Sequence, residues 1–155
     1  MNDLFFNTAA VSRISTATAE KMSQAVMELA NDAPHLNSWV LTMEQCRRAT
    51  AELFGAVDEK SVAFLQNTSQ ATSAIAEGLT WKKGDEILIP AVEYPANQYP
   101  WLNLERKGVT VIRVPANENG GVEWEDFEPF VTEKTKLISF SHVQFKNGYR
   151  CDIAQ

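Results

Sequence analysis

The sequence predicts an α/β fold, with helices first and a mostly parallel sheet after them. Two observations carry this. Before about residue 56, apolar residues recur at steps of three and four, the mark of amphipathic helices. From about residue 62 onward, short apolar runs alternate with helix-like stretches, the pattern of βαβ units.

Taken in order, Ser15 or Thr16 can cap a first helix through Met22, Ala25, Val26, Leu29 and Ala30. Those positions form one face meant for burial, and Pro34 ends the segment. A second helix carries Trp39, Met43, Cys46, Ala49 and Leu53 on its apolar face. Gly55 stops it, because glycine tolerates the positive φ of a C-terminal cap. Val62-Ala63-Phe64-Leu65 reads as a first short strand, followed by a helix through Ala71, Ile75, Ala76 and Leu79. Gly84-Asp85 turns the chain into the strand Glu86-Ile87-Leu88-Ile89-Pro90. Residues 97–107 read as a helix closed by Gly108, and Val109 to Val114 as the next strand, ended by Pro115. After a loop from Asn117 to Gly121, a short helix spans Trp124 to Phe130. Lys136 to Ser141 is the last strand, and the final residues from Cys151 read as the start of another helix.

Composition narrows the function classes. The chain has 155 residues, 45% hydrophobic and 22% charged, an ordinary balance for one compact domain. A net charge of −6 argues against general nucleic-acid binding, which needs clustered Lys and Arg. No segment approaches the ~20 apolar residues of a membrane span. The start, Met1 to Asn7, carries an acid and no cation, unlike a secretory signal, so a cytoplasmic protein is expected. Cys46 and Cys151 lie far apart with no CxxC, so both read as reduced thiols rather than zinc ligands. No linker, repeat or low-complexity tract interrupts residues 1–155.

Three segments follow strands, where ligands sit in parallel sheets. The first is Gln66-Asn67-Thr68-Ser69-Gln70, at a helix start. Free backbone N–H groups and the positive end of the helix dipole attract phosphate there, and Thr68 and Ser69 add hydroxyls. Equally, Thr68 or Ser69 can simply cap the helix. The second is Glu93 to Trp101, whose two prolines restrain the backbone and whose aromatic rings can stack on a planar ligand or pack on the core. The third is Ser141-His142-Val143-Gln144-Phe145, where His142 can touch a ligand or satisfy a buried hydrogen bond.

In their order and spacing, these segments resemble the class V aminotransferase superfamily of pyridoxal-phosphate enzymes, the cysteine desulfurase, kynureninase and isopenicillin-N-epimerase-like group. The matching stretches are Asn67-Thr68-Ser69-Gln70-Ala71, Trp81 to Ile87, Glu93-Tyr94-Pro95-Ala96-Asn97 with Pro100-Trp101, and Ser141-His142-Val143. The opening Phe6-Asn7-Thr8-Ala9-Ala10-Val11 also looks like the family's start.

The resemblance implies the opening helices and first half of a fold-type-I large domain, with no counterpart of the family's small C-terminal domain. It implies pyridoxal 5'-phosphate as cofactor, with Thr68 and Ser69 at the phosphate and Tyr94 over the pyridine ring. Asn97 would brace its loop. Desulfurases place an Asn near the cofactor's phenolic oxygen where this chain has Phe145, so that contact is either missing or supplied by Gln144. Asp152 matches a family Asp that precedes the cofactor acid. None of the eight lysines stands in the family's His-Lys context, so the chain is expected to be inactive alone and its lysines solvated. The substrate implied is an amino acid, undergoing elimination, desulfuration, epimerisation or transamination, and the complete enzyme would be a homodimer. Two other readings stand beside this one. One is an autonomous α/β module that binds a phosphate ligand without catalysis. The other is a small hydrolase using Cys46 or Cys151 with His142, opposed by the core-facing position of Cys46 and the lack of a thiol in a helix-initiating turn.

Overall fold

The computed structural model describes residues 11–31, 36–56 and 58–154. The chain divides into two compact units, Met1–Phe64 and Leu65–Gln155. The division falls in an apolar run with no Pro, Gly or Ser signature to mark it in the sequence.

The first unit holds two long helices. Helix α1 spans Thr16–Asn31, and Ser15 is its cap, its Oγ accepting the Thr18 N–H at 3.1 Å. Helix α2 spans Leu36–Phe54. Gly55, at φ 63°, ends it with paired bonds, Gly55 N–H to the Glu52 carbonyl and Ala56 N–H to the Ala51 carbonyl at 2.9 Å. The expected burial does not follow. Met22, Val26 and Leu29 are exposed, as are Trp39, Met43, Cys46 and Leu53, and only Ala51 of α2 is buried. Apolar periodicity identifies the face a helix would bury, not whether a partner covers it. Pro34 and residues 6–10 lie outside the described residues.

The second unit is built on a three-stranded parallel sheet. Its strands are β1 (Glu86–Pro90), β2 (Thr110–Val114) and β3 (Thr135–Ile138), in the order β2-β1-β3. Residues 62–65 are not a strand: no ladder bond holds them, and Phe64 and Leu65 are exposed. The predicted last strand stops at Ile138 instead of Ser141, as the chain there leaves its pairing with β1. The predicted helix over 97–107 is segmented. A 3-10 turn at Pro95–Asn97 leads to α4 (Tyr99–Leu102), and a second 3-10 turn spans Asn103–Lys107. Pro95 and Pro100 lack the N–H that a continuous α ladder needs. The helix after Glu123 is likewise α-helical only over Trp124–Phe127 (α5), tightening to 3-10 at Glu128–Phe130. Residues 151–154 form extended chain and a turn rather than a helix start.

The central strand is buried on both faces. Ile87 and Ile89 pack with Ala76, Trp101, Leu104 and Val109 on one side. Leu88 packs with Val114, Val122, Phe127 and Cys151 on the other. Alternate side chains along a strand point to opposite faces, so two successive crossovers cover two different sides. Helix α3 (Thr68–Gly78) joins the first cluster through Ala76, and the Trp81 indole N–H donates to the Ala76 carbonyl at 2.7 Å. The face of α3 differs from expectation, since Thr72 and Ala76 are buried while Ile75 and Leu79 are exposed. The turn into β1 is pinned by Gly84 at φ 90° and by Asp85, whose carboxylate accepts the Lys82 N–H at 2.8 Å. That bond, with the nearby Lys136 ammonium, holds the Asp85 carboxyl below its ordinary range.

Beyond β2, Asn117 organises the loop by accepting the Asn119 and Gly121 N–H groups at 3.0 and 3.3 Å. Gly121 is buried against the Tyr149 ring, whose hydroxyl donates to Glu123 Oε1 at 2.6 Å. A Cβ at position 121 would fall on that ring. Gly121→Ala is therefore expected to displace Tyr149 and to cost about 1–3 kcal/mol, the usual range for overpacking. A lowered urea midpoint with an unchanged slope checks it.

Candidate functional site

The site is assembled from the ends of β1 and β3 and the start of α3. Asn67, not Thr68 or Ser69, caps α3: its Oδ1 accepts the Gln70 N–H at 2.9 Å, and Gln70 Oε1 accepts the Gln66 N–H at 2.8 Å. Because Asn67 fills that role, the hydroxyls of Thr68 and Ser69 take no hydrogen bond among the described residues. Their N–H groups, in the first turn of the helix, likewise lack an intrahelical partner.

After β1, Tyr94 takes an extended conformation (φ −65°, ψ 142°), as the residue before a proline must. Its ring is about half exposed, at 52%, and stands edge-on to Phe145, with centroids 5.0 Å apart and planes at 82°. Asn97 Oδ1 accepts from the Trp101 indole at 3.1 Å and from Ser139 Oγ at 2.6 Å. It thereby ties the loop after β1 to the end of β3, a bracing role.

Ser69 and Ser73 of α3 face Tyr94, Tyr99 and Asn103 across one hollow of about 460 Å³. Among the described residues no charged side chain lines it. Hydroxyls and helix N–H groups at one wall suit a phosphate, and no carboxylate opposes an anion there. Flat rings at the other wall suit a planar heteroaromatic ligand. This donor set fits pyridoxal 5'-phosphate. The structure thus brings Ser69 and Tyr94 together. Thr68 lies one residue earlier on the same helix turn, exposed, and is not in the lining. Gln144 is buried behind the site, not in it. Its Nε2 donates to Glu93 Oε1 at 3.1 Å, and its own Oε1 is buried without a partner.

Comparisons with known proteins bear on the family and the fold. A family model described as "Aminotransferase class-V" matches residues 4–155. The chain belongs to the class-V aminotransferase family. A probable cysteine desulfurase of Methanothermobacter thermautotrophicus is 33% identical over 113 residues, covering 73% of this chain and 28% of the relative. One of Pseudomonas aeruginosa is 30% identical over 145 residues, covering 83% of this chain and 36% of the relative. The chain therefore spans about a third or less of the curated relatives it matches. Among solved structures, the cystine C-S lyase C-DES, in complex with cysteine persulfide, superposes with a TM-score of 0.87 at 22% identity, covering 99% of this chain and 42% of that one. The cysteine desulfurase CsdA of Escherichia coli gives 0.80 at 23% identity, covering 95% of this chain and 39% of that one. These likenesses show the fold, that of the N-terminal portion of cysteine desulfurase structures.

Sequence reasoning missed Glu93, which is 2% exposed and binds Gln144 and Ser141. Its one signal was an acid at the end of an apolar strand. Ser73 and Asn103 were also unmarked, because a helix face and a segmented turn bring them to the hollow only in three dimensions, whereas Tyr99 lies in the aromatic segment already singled out. All eight lysines are exposed, as expected.

The two thiols lie in different surroundings. Cys46 is exposed, against its expected core-facing place on α2. Cys151 is buried, donating to the Ser141 carbonyl at 3.6 Å, and burial pushes its thiol up from the ordinary value, with the Glu123 and Glu93 charges adding. Cys46 should react promptly with a thiol-specific disulfide reagent while Cys151 reacts only on unfolding. The raised Cys151 thiol also has a pH consequence. Its contribution to stability is complete below its ordinary value of 9.0 and is lost as pH rises beyond that, when the unfolded chain ionises first. Urea titrations should show this decline, and Cys151→Ala should flatten it.

Proposed function

We propose that this chain forms the phosphate- and ring-holding part of a pyridoxal 5'-phosphate-dependent enzyme acting on an amino acid. The observation that carries the reading is the single hollow shared by Ser69, at the start of α3, and Tyr94, beyond β1. Thr68 and Ser69, with the first-turn N–H groups, hold the phosphate, and Tyr94 covers the pyridine face. When bound, the cofactor supplies a sink for electrons released at the substrate's Cα. Gln144 supports this wall from behind, through Glu93. The desulfurase names of the relatives favour a sulfur-containing amino acid, cysteine first among them. Phe145, standing where desulfurases place an Asn, leaves elimination, epimerisation and transamination open as reactions. A cytoplasmic homodimer with no nucleic-acid partner is the assembly this reading carries.

One observation favours a second reading for the chain by itself. None of the eight lysines lines the hollow, so these residues hold the ligand without a covalent link. That is phosphate-ligand binding without turnover, and it makes the chain inactive alone.

Equilibrium dialysis with pyridoxal 5'-phosphate tests both readings. Saturable binding, competed by inorganic phosphate, is expected. Thr68→Ala with Ser69→Ala should weaken it by roughly tenfold or more, the scale of lost hydrogen bonds to a charged group. Borohydride reduction and peptide mapping should find no single lysine carrying the ligand. A stoichiometric adduct on one lysine would overturn the non-covalent reading, and failure to bind at all would overturn the cofactor assignment.

A further inference from the structure

Glu93 stands apart among the described residues as a buried carboxylate. It makes no ion pair there, and burying such a charge is costly unless hydrogen bonds replace its water. Four donors do so. Oε1 accepts the Ser141 N–H and Gln144 Nε2, the latter at 3.1 Å. Oε2 accepts Ser141 Oγ at 2.8 Å and the Tyr94 N–H at 3.2 Å. The Glu93 carbonyl also accepts Gln98 Nε2.

We propose that Glu93 is a positioning residue, a carboxylate latch that joins the loop after β1 to the loop after β3 and so sets the Tyr94 ring at the hollow. The proposal rests on the cofactor reading for its ligand, but the latch itself stands on the geometry. Tyr94 follows Glu93 directly in the chain, and Phe145 follows Gln144. The carboxylate therefore fixes both halves of the edge-on Tyr94–Phe145 pair from behind. Gln144 shows how strongly. Its amide turns its nitrogen to the carboxylate although its own Oε1 is left buried and unpaired. Turned the other way, that oxygen would face a negative charge.

The donor pattern also shows why a carboxyl group, with an oxygen on each side, is required. Each carboxylate oxygen receives one backbone N–H, from Ser141 on one side and Tyr94 on the other. A carboxamide of the same shape presents an NH₂ on one side. In either orientation that NH₂ meets a backbone N–H, which cannot turn away. Gln144 can flip its amide and Ser141 can rotate its hydroxyl, but neither change relieves the backbone clash. Glu93→Gln thus breaks the latch with almost no change in volume.

The experiment compares the wild-type chain with Glu93→Gln, using hydrogen exchange and equilibrium binding of two probes, pyridoxal 5'-phosphate and inorganic phosphate. Exchange at the Tyr94 and Ser141 amides should rise together by about tenfold or more, with Leu88 in β1 unchanged, since a charge-assisted hydrogen bond is lost at each. Pyridoxal 5'-phosphate should bind roughly tenfold more weakly, while inorganic phosphate, held at α3, changes less than about twofold. A structural role alone would weaken both probes together. Unchanged exchange at either loop, or equal loss of both probes, overturns the proposal. Where Glu93→Gln fails to fold, Ser141→Ala removes one donor without touching the charge, and should shift exchange at Tyr94 and the binding ratio in the same direction. No effect on either overturns the latch. A wild-type chain that binds neither probe sinks the cofactor reading, while the exchange results still decide the latch.

Discussion

The second unit depends on the burial of β1 on both faces. Ile87, Leu88, Ile89 and Pro90 are all removed from solvent, and the strand feeds side chains into both apolar clusters. A strand so placed cannot slip by one residue without exchanging the two clusters. Its carboxyl end is therefore a fixed point, and Glu93, Tyr94 and Asn97 leave from it in a set order. The strand order β2-β1-β3 adds the second condition. It places the end of β3 beside the end of β1, so residues more than forty apart in sequence, such as Asn97 and Ser139, share a hydrogen bond.

Much of this was legible in the sequence. The strand over residues 86–90 reads directly from an apolar run bounded by Gly84-Asp85 and a polar loop, and it matches the structure end to end. Gly55 and Gly108 announce helix stops and adopt positive φ there. The polar start of α3 and the aromatic loop after β1 were visible as local signals, while the hollow they share is a product of the fold. The cap at Asn67 was missed because three adjacent polar residues offer the same short acceptor, and only backbone geometry selects among them.

Other features depend on tertiary placement. Periodicity correctly marks α1 and α2 as helices yet says nothing of what covers Met22, Val26 or Trp39. Residues 62–65 have strand composition but no neighbour to pair with, and β-propensity without a ladder does not make a strand. Glu93 is the sharpest case. As an isolated letter it is an acid after a strand, and its meaning lies in donors that Ser141 and Gln144 deliver from a distant segment.

The apolar stripes of the two opening helices have a bearing on how the protein behaves in solution. Met22, Val26, Leu29, Leu53 and Phe54 present oily surface to water, and patches of this kind adhere to one another. An excess of six negative charges opposes that adhesion by mutual repulsion. Acidifying the buffer removes that repulsion while leaving the stripes untouched, so the same surface turns from tolerated to adhesive within a few pH units. Mildly alkaline, low-salt conditions are the ones in which such a chain stays dispersed, because there its charge is intact and least screened.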